Sequence, residues 1–230
     1  TVDRLADFLG EIQSLPVGRG EEPAQVRAVL GADRPLPEDG TPADNLMRET
    51  VEDLINHSLF NGHPKFGGYI TSSAAPIGAI ADMVASTLNP NLGGWMLSPM
   101  ATEIEAQTVR WIAELIGYHT DCGGLLVSGG NMANFVCFIA ARANKLGGET
   151  REKGMAGVKG KIYASEETHT WIQKAADLFG LGTDAIRWIE TDRYLRMKPD
   201  ALRKAIETDQ QNGDQPFIVV ATAGSVSTGT

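Results

Sequence analysis

The chain has 230 residues, 42% of them hydrophobic and 21% charged, enough apolar material for one large core or one domain with a smaller segment, which excludes disorder as a description of the whole. A formal net charge of -9 and a pI near 4.9 would repel a polyanion, and no Lys/Arg cluster interrupts the acidic balance, so no nucleic-acid partner is expected. No run approaches the ~18 apolar residues of a membrane helix, so none is expected to engage a membrane.

Residues 1–15 and 42–60 read as helical, separated by a polar Gly/Pro/Asp/Glu stretch at 16–41 that reads as a loop or arm. Residues 1–60 together make an N-terminal helical segment rather than a compact domain. The start Thr1-Val-Asp-Arg lacks the charged and apolar regions of a signal peptide, and the missing initiator Met implies removal of something upstream. From Ser73 to Leu88 runs an alanine-rich helix closed by Asn89, Pro90 and Asn91, and the glycine pair beside Trp95 suggests a loop near a site or an interface. The clearest helix is Thr102 to Tyr118, with Ile104, Trp111, Ile112, Leu115 and Ile116 on one face and Glu103 and Glu105 in its first turn.

The apolar run Gly123 to Val127 then enters Ser128-Gly-Gly-Asn-Met-Ala-Asn134 and continues as Phe135 to Ala141, a pattern of strand, glycine turn and helix start. Adjacent glycines let the backbone turn sharply and approach a ligand, and the following amides lie at a helix N-terminus without intrahelical partners, a geometry suited to phosphate or another anion. A tight βα corner also favours glycine for its own sake, so the turn alone leaves both readings open. Neither a Walker loop nor the third glycine of a dinucleotide fingerprint is present. Strands are expected at Gly160 to Ala164, Ile186 to Glu190 and Phe217 to Ala221, with helices near Thr170 to Phe179 and Pro199 to Asp209.

This alternation of apolar strands with helical crossovers predicts an α/β fold with a mostly parallel sheet covered on both faces, and ligands in such sheets bind beyond the carboxyl ends of the strands. Three loops are thereby singled out: Ser128 to Asn131, Ser165 to His169 and Thr222 to Thr228. His169 follows a strand and precedes a helix at that edge, where it is either a neighbour of the helix cap or a flat ring able to stack on a planar cofactor. His57, His63 and His119 lack a His at the i+4 spacing of a helical metal site and read as structural, so no metal is expected. The hydroxyl-rich loop Thr222 to Thr230 reads as a turn, and Ser-His-Asp hydrolysis lacks its Gly-x-Ser-x-Gly elbow. Of the two cysteines, Cys137 falls in the apolar helix and suits a buried free thiol, which favours a reducing, cytoplasmic setting.

Five blocks in order resemble the group II pyridoxal-phosphate-dependent decarboxylases, the family of aromatic-amino-acid, histidine and glutamate decarboxylases. They are His63-Pro-Lys-Phe-Gly-Gly-Tyr69 with Thr71 to Ser73, Ser98-Pro-Met-Ala-Thr-Glu-Ile-Glu105, Leu126-Val-Ser-Gly-Gly-Asn-Met-Ala-Asn134, Tyr163-Ala-Ser-Glu-Glu-Thr-His169 and Ala221-Thr-Ala-Gly-Ser-Val-Ser-Thr-Gly229. The resemblance runs from about Val51 to the last residue. It implies the aspartate-aminotransferase fold (fold type I), with residues 61–230 as the first part of the large cofactor-binding domain, and pyridoxal 5'-phosphate as cofactor.

On that resemblance Gly130, Asn131 and Met132 would hold the cofactor phosphate, and His169, the catalytic candidate, would stack on the pyridine ring and help place the substrate carboxylate. Tyr69 and Ser72 would line the substrate pocket, Leu92 and Gly93 would reach the neighbouring subunit's site, and Ser225 and Ser227 would lie near the cofactor, where the family often shows Thr. The implied activity is decarboxylation of an L-amino acid to the amine and carbon dioxide, part of carboxylic-acid and amino-acid metabolism, in a cytoplasmic homodimer. The alternatives are an aminotransferase, another lyase of the same fold, or an inactive fragment or structural partner chain. Family members are much longer and carry the pyridinium-pairing Asp and the Schiff-base lysine beyond the segment matching Thr222 to Thr230. The chain is therefore read as about an N-terminal half, expected to be inactive alone and to need a second chain or a continuation carrying that lysine.

Overall fold

Apolar strands alternating with helices give the second half of the sequence a three-stranded parallel sheet of order β2-β1-β3, built from β1 (Gly160–Ser165), β2 (Ile186–Ile189) and β3 (Gln215–Val220). The computed structural model describes residues 1–229, and the chain divides into two units, Thr1–Leu88 and Asn89–Thr230.

The first unit is helical: α1 (Val2–Glu11), α2 (Pro23–Leu30), α3 (Ala43–Asn56) and α4 (Pro76–Leu88). Arg4 ties α1 to α3 by reaching Glu52 at 2.7 Å while also meeting Glu11 at 2.9 Å, and Phe8 packs on Phe60 with ring centroids 5.0 Å apart. Helix α2 corrects the expectation of a loop at 16–41. Pro23 stands just inside its start, Glu22 and Gln25 cap each other's backbone reciprocally, and Gly31 closes the helix at φ 63°. These terminal signals outweigh the polarity of the surrounding stretch. His63 is almost fully buried, donating from Nε2 to the Leu15 carbonyl at 3.0 Å and accepting the Lys65 amide at Nδ1, also at 3.0 Å, in agreement with its structural reading.

In the second unit α5 (Pro99–Leu115) starts three residues earlier than expected because Pro99, with its preset φ, opens the helix, which moves Glu103 and Glu105 into the second turn. Both carboxylates are used: Glu103 accepts the Trp95 indole N–H and Glu105 accepts the Leu126 amide, each at 2.8 Å. The run Gly123 to Val127, expected as a strand, forms no ladder among the described residues, where the Leu126 amide is bonded to Glu105. Then follow α6 (Gly130–Leu146), the short α7 (Thr150–Lys153), α8 (Trp171–Leu178) and α9 (Pro199–Gln211). Cys137 is a further correction: it lies on the exposed side of α6 while Phe138, one residue on, is fully buried, because neighbouring helix positions are about 100° apart.

Period-2 alternation sorts β1 between two coverings. Ile162 and Ala164 join Phe138, Trp171, Ile172, Ala175 and Phe217 in the apolar core with α6 and α8, where Phe138 stacks on Phe179 at 5.4 Å and meets Phe217 edge-on at 5.4 Å. Gly160 sits close under the core, since a Cβ there would come within 2.8 Å of a Leu146 methyl and 3.0 Å of a Leu181 methyl and would require those side chains to shift. Between these core positions lies Tyr163, paired in register with Arg187, and its hydroxyl donates to Asp209 of α9 at 2.9 Å. Arg187 also grips the Asp209 carboxylate, from Nη2 at 2.9 Å and Nε at 3.0 Å, while Lys161 and Asp214 sit 3.6 Å apart beside it. Burial pushes the Asp209 carboxyl up, but the hydrogen bonds from Arg187 and Tyr163 and the charges of Arg187 and Lys161 outweigh it and hold it below the usual range. Burial, then the bond to Asp209, pushes the Tyr163 phenol up, so it stays a donor.

Between β2 and α9 the chain makes a compact turn. Thr191 and Met197 form an antiparallel bridge, and the Asp192 carboxylate accepts the amides of Tyr194 at 2.8 Å and Arg196 at 3.0 Å. The guanidinium carbons of Arg193 and Arg196 lie 4.5 and 5.0 Å from the centre of the Tyr194 ring.

Candidate functional site

A cavity of about 830 Å³ opens beyond the carboxyl ends of β1 and β3, lined by the glycine turn and the start of α6, by His169 and Trp171, and by Val220 to Ala223 with Val226. It lies where a parallel sheet presents its ligand loops. The three loops singled out in the sequence meet around His169, for a second cavity of about 340 Å³ adjoins, lined by Glu166 to Thr170 and by Thr222 and Gly224 to Ser227.

The turn shapes the first wall. Gly129 adopts φ 145° and ψ 174°, a conformation essentially reserved for glycine, and it directs Gly130, Asn131 and Met132 into the first turn of α6. The first bond of the helix is the Ala133 amide to the Gly129 carbonyl at 3.0 Å, so the amides of Gly130, Asn131 and Met132 have no intrahelical acceptor, and no side chain caps them. Space above the turn is open, because a Cβ on Gly129 or Gly130 would meet nothing within 4 Å. These glycines do not relieve crowding inside the protein. They leave three parallel donors and the positive end of a 17-residue helix facing a cavity, a fit for a phosphate-sized anion.

Opposite, His169 is exposed on both cavities, with its Nδ1 accepting the amide of Trp171 at 3.2 Å. Behind it Ser165 and Thr168 are buried, with hydroxyls 3.3 Å apart, fixing the loop that carries the ring. A flat ring facing a row of amides across one cavity suits a planar aromatic ligand bearing an anionic group, so the residues present fit pyridoxal phosphate. Ser225 is buried, accepts the Thr228 hydroxyl at 3.1 Å, and lines the second cavity with His169 rather than the first.

Tyr69 and Ser72 belong to the first unit, where both are exposed. Tyr69 follows two glycines, takes a positive φ of 59° and rests its ring 5.8 Å from that of Phe66. In the second unit the Gly93 amide donates to Asn91 Oδ1 at 2.8 Å, shaping the loop that also holds Leu92. Trp171 and Phe135 also line the cavity and were not among the residues expected there. Trp171 carried a signal, standing two residues after His169 at the first helical position of α8.

Comparison with known proteins bears directly on this edge. The profile of the family described as pyridoxal-dependent decarboxylase conserved domain matches residues 23–230. An aromatic-L-amino-acid decarboxylase of Bacillus atrophaeus is 30% identical over 99% of this chain and 46% of its own length. Among solved structures, Catharanthus roseus tryptophan decarboxylase in complex with L-tryptophan superposes with a TM-score of 0.86 at 26% identity, covering 100% of this chain and 50% of that one. Oryza sativa TDC with PLP and tryptamine gives 0.86 at 27%, covering 98% and 47%. The chain spans about half the length of the relatives it matches.

Proposed function

The chain belongs to the pyridoxal-dependent decarboxylase family, and from that premise we propose that it forms part of an enzyme that decarboxylates an L-amino acid to the amine and carbon dioxide. The observation that carries the reading is the single cavity on which the Gly130, Asn131 and Met132 amides and His169 converge. In this reading the three amides and the α6 terminus anchor the phosphate. His169 covers one face of the pyridine and helps hold the substrate carboxylate, while Ser225 shapes the adjoining wall. Tyr69 and Ser72 are assigned to substrate binding. Pyridoxal phosphate, when bound, supplies the conjugated electron sink that takes up the pair left on Cα as carbon dioxide departs. The chain's contribution is orientation, because a ring plane fixed at two points determines which Cα bond stands perpendicular to it.

A homodimer is part of the proposal, with Leu92 and Gly93 near the neighbouring site. A cytoplasmic setting belongs to the same proposal. Full-length protein incubated with the cofactor and a panel of L-amino acids should release carbon dioxide and the matching amine. Production of the keto acid with transfer of the amino group would instead make it an aminotransferase of the same fold.

A further inference from the structure

His63 and His169 use the same local device. In each, Nδ1 accepts the backbone amide two residues ahead, Lys65 at 3.0 Å and Trp171 at 3.2 Å. An imidazole nitrogen that accepts a hydrogen bond carries no proton, so a neutral ring held in this way has its proton on Nε2. In His63 that Nε2–H is consumed inside the protein by the Leu15 carbonyl. In His169 no described residue meets Nε2, and the ring borders both cavities at the sheet edge.

Trp171 is suited to the task by its place. It is the first residue of α8, so its amide has no intrahelical acceptor and is available to a side chain, while the preceding Thr170 makes no capping bond. Its indole is buried in the core with Phe138 and Ile172, so the amide is fixed relative to the sheet. We propose that the main-chain amide of Trp171 is a positioning group that locks His169 in the Nε2–H tautomer. The ring then presents one hydrogen-bond donor to the cavity and never an acceptor. The ligand group that matches it is an oxygen acceptor, and on the decarboxylase reading, on which this last step rests, that is the α-carboxylate of the amino acid.

The tautomer can be read without turnover. In full-length protein labelled with ¹⁵N-histidine, the signals removed by His169→Gln should be pyridine-type for Nδ1 and pyrrole-type for Nε2, with or without cofactor. The reverse assignment, or an average of the two, overturns the proposal. Trp171→Pro deletes the donor at the first helical position, where Thr170 at φ -60° and ψ -4° must adjust to a following proline, so retention of the other histidine signals is required of it, whereas Trp171→Leu loses the indole and keeps the N–H. Pro should abolish the Nδ1 signature and lower kcat about tenfold relative to Leu, the worth of one hydrogen bond, and equal behaviour of the two variants overturns the role of the amide. Loss of cofactor binding or of decarboxylation with the tautomer intact would instead remove the proposed function and leave this inference standing.

Discussion

Two polar regions of the second unit treat their hydrogen-bonding groups in opposite ways. On the α9 side of the sheet, Asp209 is buried and meets Tyr163 and Arg187 at 2.9 to 3.1 Å. At the carboxyl edge, three adjacent amides and the Nε2 of His169 face open cavities with no partner among the described residues. A buried polar group left unpaired costs free energy, so saturation is what stability demands. Unsaturation maintained on three neighbouring amides by a glycine-only conformation is what a ligand site demands. The contrast is the geometric ground on which the site is proposed.

Breaking the saturated side should have the largest effect. Asp209→Ala removes the acceptor of the Tyr163 hydroxyl and the bidentate partner of Arg187, which keeps only the Asp184 carbonyl and the more distant Asp214, and should destabilise by about 3 kcal/mol in chemical denaturation of the full-length protein. The open side responds differently. Gly129→Ala forces a Cβ into φ 145° and should cost about 2 kcal/mol of stability, and it should also weaken cofactor affinity measured by absorbance titration. Met132→Pro removes one of the three amides within the first helical turn, where proline is accommodated, and should weaken cofactor binding about tenfold with little loss of stability.

A smaller, graded effect comes from pH. The folded Asp209 carboxyl is held below its unfolded value of about 3.9, so its contribution is present above that value and is lost as pH falls through the folded one. Stability measured from about pH 4 downward should therefore fall less steeply in Asp209→Asn than in the natural protein. Smallest of all, Met132→Ala should change stability and cofactor affinity by less than about 0.5 kcal/mol, because its side chain is exposed and the proposed contact is the amide it keeps.

What could be read in the sequence follows from how local each signal is. The strands β1, β2 and β3 and helices α8 and α9 came out close to expectation because apolar runs between clear turn residues carry their own boundaries. The glycine turn pointed to the carboxyl edge for the same reason. Helix α2 is masked by the polarity of residues 16–41, within which only Pro23 and Gly31 mark its ends. Gly123 to Val127 looked like a strand, but a strand exists only with a partner, and the described residues supply just the Glu105 carboxylate. The Asp209 network was illegible: Tyr163 and Asp209 are 46 positions apart, and nothing in composition pairs them. Trp171 as the holder of His169 was equally hidden, because a backbone donor leaves no trace in residue type.

The turn from Thr191 to Met197 bears on the order in which the protein assembles. Its bridge, the Asp192 bonds and the two arginines over Tyr194 all arise within seven residues of chain. Closing so short a loop takes on the order of tens of nanoseconds, whereas contacts distant in sequence must first overcome a larger loop entropy. This segment can therefore reverse the chain between β2 and α9 before the sheet exists. Formed early, it would leave α9 already pointed back along β2, so that bringing Asp209 to Tyr163 and Arg187 would require docking one preset segment rather than a search by a free chain.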